Sequence, residues 1–224
     1  MALILGLESA TVSGSVALVR DGQMLGVHHY HLDRSHSSLL HKSVDQLFQN
    51  CQVDWSSIDA VALSEGPGSY TGLRIGCSAA KGFCLAQDKP LIAVNTLLSM
   101  AFQVHKAQTE PVFYCPMIDA RRMEVYAMML DPELNVVMRT EPVILDPGSF
   151  SEVLAKQKVI FFGDGASKFE EIANSPRAVF VHGVLPSALD IALLGEKKFE
   201  KGAFENLIDF EPFYLKEFRL TTKG

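Results

Sequence analysis

The chain has 224 residues, enough for two lobes of roughly 100 residues each and too few for three domains. Apolar residues make up 48% and charged residues 21%, a balance that excludes disorder, collagen-like repeats and a coiled coil. Twenty Lys and Arg against 26 Asp and Glu leave a net charge of −6. That argues against nucleic-acid binding by this chain unaided, because such affinity comes largely from neutralised phosphates.

Residues 3–7 form an apolar run ending at Glu8, with Ser9 and Thr11 in the loop that follows. Residues 13–19 alternate about Val16 and Leu18, residues 20–23 signal a turn, and 24–32 read as a third strand, so the chain opens with an antiparallel meander. Ser35 or a neighbour caps a helix in which Leu40, Val44, Leu47 and Cys51 recur at helical spacing, widened by Leu39 and Phe48. Residues 60–63 are a wholly apolar strand. A glycine-rich loop over 64–72 leads into a helix to about Gln87, a strand at 91–94 and a helix over about 96–105.

The pattern then restarts, with strands at 112–119, 124–130 and 136–145. A helix at 150–156, a strand at 159–162, a helix at 166–173, a strand at 179–181 and a helix at 187–199 complete it. Residues 211–215 form a strap without helix signals. A meander with βα units, used twice, predicts an α/β chain with a mixed sheet flanked by helices in each lobe. This is the arrangement of the two-lobe actin-like (ASKHA, ribonuclease H-like) fold. The joint near 95–110 gives an N-terminal lobe over 1–100 and a C-terminal lobe over 101–224.

Cys51, Cys77, Cys84 and Cys115 show no CxxC pair and no zinc-ligand spacing. Cys77 and Cys84, seven apart on a helix, read as small buried hydrophobes. The amino terminus carries no basic leader, and no apolar stretch approaches the roughly 20 residues of a membrane span. The expectation is a reduced, cytoplasmic protein with no membrane partner.

Residues 66–76, Gly-Pro-Gly-Ser-Tyr-Thr-Gly-Leu-Arg-Ile-Gly, place a strand end, a glycine-rich turn and a helix start in succession. Backbone N–H groups and the helix dipole at such a start suit an anion. Gly66, Gly68, Ser69 and Thr71, with Glu8, Ser9 and Thr11, are therefore candidate nucleotide-binding residues. The same glycines serve a turn and close packing equally well. It is not a Walker loop, since Arg74 stands nearest to where Lys-Ser/Thr would end one. The helix that follows is rich in small residues (Gly72, Gly76, Ser78, Ala79, Ala80, Gly82), which permit close approach of another helix, from the same lobe or from a partner. Leu73, Ile75, Phe83 and Leu85 do not fit one narrow stripe, which signals an exposed patch. Candidate interface residues are Leu39, Leu73, Arg74, Gly76, Cys77, Ala80, Lys81, Phe83 and Cys84, on helices 35–51 and 71–87.

Residues 66–76 resemble the GPGSFTGLRIG signature of the TsaB (YeaZ) family, with Tyr70 in place of Phe. Residues 117–126 resemble its IDARMGEVY segment, Ile4 to Thr11 its opening I-D/E-T-S/A-T, with Ser9 where Thr is common, and residues 211–216 its terminal EPxYLR. The matches are in order and span the chain. The resemblance implies the actin-like fold and a role in making threonylcarbamoyladenosine at position 37 of tRNAs that read ANN codons. In that system TsaC or its relative builds threonylcarbamoyl-AMP from threonine, bicarbonate and ATP. TsaD, a paralogue, transfers the group to adenosine, assisted by TsaB and the ATPase TsaE. The role implied for this chain is a dimerisation partner that supports a TsaD homologue and also pairs with itself. No cofactor is required by such a chain, ATP or ADP with Mg at the complex interface is left open, and tRNA is held only through the complex.

TsaD-like relatives hold a metal through an HxxxH pair on the helix after the strand here read at 91–94. Thr96 and Met100 stand at those two positions, and neither replaces a histidine. The sequence places no carboxylate near His28, His29 and His31 on their strand, His36 and His41 are not expected to converge, and all seven histidines read as solvated or hydrogen-bonded. Glu8 with Ser9 and Thr11 could position metal-bound water or phosphate, as the first-loop acid does in actin-like ATPases. Gly163-Asp164-Gly165 reads either as a second phosphate loop or as a plain left-handed turn. Asp119 and Arg121 read as an internal ion pair or part of a site. Three functions follow: a non-catalytic interaction subunit, an actin-like nucleotide-binding ATPase or kinase, and a metalloprotease, for which HExxH is absent. Under the first, a large charged residue at Gly76 or Ala80 abolishes pairing while the monomer still folds.

Overall fold

The computed structural model describes residues 2–31 and 36–215. The expected cap at Ser35, the strand end at Leu32 and the last residue of the terminal motif, Lys216, lie outside the described residues. In chain order the elements are β1 (Leu3–Glu8), β2 (Ser13–Arg20), β3 (Gln23–His31), α1 (His36–Cys51), β4 (Ala60–Gly66), α2 (Tyr70–Gln87) and β5 (Leu91–Asn95). They continue with α3 (Thr96–His105), β6 (Phe113–Asp119), β7 (Glu124–Leu130), β8 (Val136–Ile144) and α4 (Ser151–Leu154). The last are β9 (Val159–Phe162), α5 (Ala166–Glu170), β10 (Ala178–Val181) and α6 (Ala188–Glu200).

Among the described residues these strands make two five-stranded sheets, ordered β3-β2-β1-β4-β5 and β10-β9-β6-β7-β8. In each, an antiparallel meander is extended by two parallel strands, β4 and β5 beside β1, and β9 and β10 beside β6. One topology is thus used twice, as the repeated element order predicts.

Strand alternation decides what each face receives. Leu3, Leu5 and Leu7 join Val16, Leu18, Val61 and Leu63 beneath Leu40, Val44 and Leu47 of α1 and Cys77, Ala80 and Cys84 of α2. The opposite face, with Ile4, Val19, Ala60 and Ala62, is covered by Ile191 and Ala192 of α6. α6 approaches closely because Gly6 has no Cβ; one added there would overlap the Ala188 carbonyl. The Ala188 N–H donates to Ser15 Oγ at 2.8 Å, which anchors the start of the helix to β2. Cys77 and Cys84 are buried as free thiols, and burial pushes the Cys84 thiol up to about 12.

The sheets do not divide the chain at residue 100. α3, which the sequence places at the end of the first lobe, packs its Leu97, Met100 and Ala101 on Tyr114, Ile118 and Phe162 of the second sheet. α6, expected in the second lobe, covers the first sheet. The two helices are joined by Lys106 and Asp190, at 2.5 Å, with the Asp190 side chain 3% exposed. The helix expected over 150–156 is α4, which starts only at Ser151 because Phe150 has a left-handed backbone (φ +60°) and ends at Leu154. α5 stops at Glu170, ahead of Pro176, three residues short of the expected end.

After α6 a strap returns across the first lobe. Glu205 N donates to Leu91 O (2.9 Å), Phe213 N to Glu65 O (2.7 Å) and Lys81 Nζ to Ile208 O (3.1 Å), while Leu207 and Phe210 pack on the first core. No helix among the described residues is long and apolar enough to cross a membrane.

Candidate functional site

The glycine-rich segment carries β4 into α2, and the loop after β1 is seated directly upon it. Ser69 caps α2, accepting from Gly72 N at 3.3 Å. Ser69 N donates to Ala10 O (2.6 Å) and Ser9 Oγ to Gly72 O (2.9 Å). A Cβ at Gly68 would overlap the Ala10 carbonyl, one at Gly72 the Ser9 carbonyl, and one at Gly76 the Ser9 hydroxyl. Gly68 just ahead of α2, and Gly72 and Gly76 within it, lie four residues apart on one stripe, which Ser9 and Ala10 fill. Of the two readings of these glycines, close packing is the one the structure displays.

The candidate nucleotide residues separate accordingly. Glu8, Ser9, Gly68 and Ser69 converge on that contact. Thr11 Oγ1 closes a local turn with Ser13, and Thr71 is exposed on the outside of α2. The space beside Gly66, whose φ is +117°, is taken by the strap, with the Phe213 carbonyl 2.8 Å from where a Cβ would stand. Glu8 is fully buried; its Oε1 accepts from Ala10 N at 2.5 Å and its Oε2 has no hydrogen-bond partner. Burial raises its carboxyl to about 7, with the Ala10 N–H opposing. The Tyr30 hydroxyl is pushed up to about 12 by burial and by Glu8, and the Tyr30 ring lies across Gly14.

At the ends of β6 and β9, Gly163-Asp164-Gly165 forms the left-handed turn rather than an open cradle. Gly163 has φ +98°, Gly165 N donates to Met117 O (3.2 Å), and Asp164 Oδ1 accepts from Asp119 N (3.0 Å). Asp119 pairs with Lys168 Nζ at 2.7 Å and takes only the backbone N–H of Arg121, so the expected Asp119–Arg121 ion pair is corrected. Thr96 and Met100 are 0% and 1% exposed, and the Met100 methyl packs at Gly163. A hydroxyl and a thioether embedded in a core do not fit a metal held by two histidines. Among the described residues, no group of three or more His, Cys, Asp or Glu is placed to hold a metal ion. His28 contacts Asn50 Nδ2 (3.4 Å) and His105 contacts the Tyr114 hydroxyl (3.2 Å), as hydrogen-bonded histidines.

The candidate interface set also divides. Leu73, Gly76, Cys77, Ala80 and Cys84 are buried within the lobe, which corrects their assignment to the outer surface. A charged residue at Gly76 or Ala80 would therefore disrupt the fold itself. Leu39 and Phe83 are half-buried, and Lys81 is tied to the strap. Arg74 is exposed, stacks on the Tyr70 ring at 4.2 Å and donates to the Tyr214 hydroxyl at 3.4 Å. The outer stripe of α2 is Thr71, Arg74, Ser78, Gly82 and Leu85, all exposed and recurring at helical spacing. Leu85 is 77% exposed, and a Cβ at Gly82 would meet nothing within 4 Å. Beside it, at the seam with α1, Trp55 stacks on Phe48 (4.1 Å) and meets Phe83 (5.1 Å). Ser78, Gly82, Leu85 and Trp55 thus join the candidate interface; the small-residue pattern and the off-stripe Leu85 are their signals in the sequence, and Trp55 has none.

The TsaD family, tRNA N6-adenosine threonylcarbamoyltransferase, matches residues 12–222. The chain belongs to the TsaD family. Within it, the chain groups with the TsaB (YeaZ) members. It is 29% identical over 219 residues to the tRNA threonylcarbamoyladenosine biosynthesis protein TsaB of Escherichia coli K12, covering 95% of this chain and 94% of that one. YeaZ from Pseudomonas aeruginosa superposes with a TM-score of 0.82 at 26% identity, covering 96% of this chain and all of that one. A ROK hexokinase from Thermus thermophilus shares the fold alone, with a TM-score of 0.51 at 12% identity over 89% of this chain and all of that one. The expected two-lobe actin-like fold is thus the fold of this chain.

Proposed function

We propose that this chain is a non-catalytic subunit in the synthesis of N6-threonylcarbamoyladenosine in tRNA, pairing through α1 and α2 with a TsaD homologue and working with the ATPase TsaE. The observation that carries this reading is the outer stripe of α2, where Ser78 and Gly82 leave room for a second helix beside the exposed Leu85. The core placement of Thr96 and Met100 supports the absence of a catalytic metal centre of the transferase type. The Ser9–Ala10 backbone on Gly68 and Gly72 supports a chain that needs no cofactor of its own. ATP or ADP with Mg at the complex interface would then be held by the transferase.

Gly82→Arg combined with Leu85→Glu is expected to abolish co-purification with the TsaD homologue and pairing of the chain with itself. The melting temperature should stay within a few degrees of wild type, since neither position touches the core. Unaltered co-purification would sink the proposal. For the alternative, an actin-like ATPase or kinase, calorimetry of the isolated chain with ATP and Mg is the separating measurement. No heat of binding is expected, and saturable micromolar binding would favour the alternative.

A further inference from the structure

The turn between β6 and β7 is built to hold two arginines in an unfavourable backbone. It is closed by Ala120 N to Glu124 O (3.0 Å) and Glu124 N to Arg121 O (3.1 Å), and braced by Leu145 N to Met123 O (2.7 Å). Arg121 and Arg122 have φ of +74° and +49°, a region that favours glycine and asparagine and that neither long side chain needs for packing. Where the family segment reads Met-Gly, this chain reads Arg122-Met123.

Both arginines are exposed, and neither guanidinium has a hydrogen bond or ion pair among the described residues. Two other cations of this lobe are engaged: Lys168 holds Asp119 Oδ1 and Glu124 O, and Arg177 donates to Leu154 O and Ala155 O. Asp119, two residues before Arg121, is already paired with Lys168 at 2.7 Å. Two adjacent, unpaired forks are thereby held toward solvent on a braced mount.

We propose that Arg121 and Arg122 contact the phosphate backbone of the tRNA handled by the complex; this rests on the reading of the chain as a subunit in tRNA modification. A guanidinium matches phosphate oxygens two at a time, with a charge that no pH change removes. With a net charge of −6, the chain has no overall basic surplus to draw on, so its contribution to RNA binding falls to local unpaired cations. The pair is on the second sheet, on no element of the α1–α2 face, which leaves it available when that face is covered.

The test uses the complex of this chain with its TsaD homologue and unmodified tRNA, titrated by filter binding over a salt series. Arg121→Ala with Arg122→Ala is expected to weaken tRNA binding about tenfold at ~0.1 M salt and to lower the slope of log K against log salt by about 2, one for each lost phosphate contact. The loss should be similar for tRNAs of different sequence, and Lys at both positions should retain the slope. Arg122→Gly relieves the left-handed backbone, so its melting temperature should be at or above wild type while its tRNA affinity falls. Unchanged affinity and slope in the double Ala variant would overturn the proposal. So would a loss confined to pairing with the TsaD homologue, which would make the arginines a protein contact. A wild-type complex that binds no tRNA would overturn the functional reading and this proposal with it.

Discussion

Replacing Gly72 with valine is expected to lower the unfolding free energy by at least about 3 kcal/mol, read as a shift of the urea midpoint. Ordinarily a glycine inside a helix is a weakness, and exchange for Ala gains about 1 kcal/mol. Here the new Cβ would overlap the Ser9 carbonyl, a backbone atom that cannot swing aside as a side-chain tip does. To admit it, the first loop must lift from α2. That motion breaks the bonds from Ser69 N to Ala10 O and from Ser9 Oγ to Gly72 O, and it exposes the buried Glu8. For a chain stable by about 5–15 kcal/mol, such a loss is a large fraction. Gly82→Ala on the same helix, where the space is open, should instead show the ordinary gain. A Gly72→Ala variant as stable as Gly82→Ala would refute the account of the stripe.

The second large effect is a pH dependence centred on Glu8. Its carboxyl sits at about 7 in the folded chain and near 4.5 in the unfolded one. Between those values the folded chain holds a proton that the unfolded chain has released. Its contribution to stability is therefore full below about pH 4.5 and falls as pH rises through 7. At about 1.4 kcal/mol per pH unit, the loss amounts to about 3 kcal/mol. Glu8→Gln keeps an acceptor for Ala10 N without a charge to bury. It is expected to melt above wild type at pH 8, with the difference closing by pH 4.5. Asp164 and Asp190, also raised by burial, add slope of the same sign in both proteins, so the difference between the two isolates Glu8. A variant that melts below wild type at pH 8 would exclude this role for the carboxyl.

Much of the architecture is legible in the sequence because strand alternation and helical spacing are local signals. Leu3, Leu5 and Leu7, or Leu40, Val44 and Leu47, announce both an element and its buried face. Local signals cannot say which helix covers the second face of a strand. Hence α3 and α6 exchange lobes relative to the reading at residues 95–110, although both helices themselves are found. The same limit governs α2. Gly68, Gly72 and Gly76 look like the small residues Ser78 and Gly82, and only the position of the distant Ser9–Ala10 loop makes one set internal and the other external. Asp119 is a third instance. Its neighbour Arg121 is two residues away, but its ion partner, Lys168, lies on a helix that the chain reaches only after β9.

The cover that α6 gives the first sheet has a consequence for the order in which the protein is made. Residues 2–95 emerge from the ribosome with every strand of that sheet present. The apolar surface of Ile4, Val19, Ala60, Ala62, Ile92 and Val94 nevertheless stays without its lid until residues 188–200 have been synthesised. The amino-terminal lobe is thus completed last, after the whole carboxyl-terminal sheet, and its closure depends on contacts between the two extremes of the chain. A fragment cut at the apparent joint between lobes would keep all five strands and leave one side of the sheet bare. The two lobes are separate in architecture and a single unit in biogenesis.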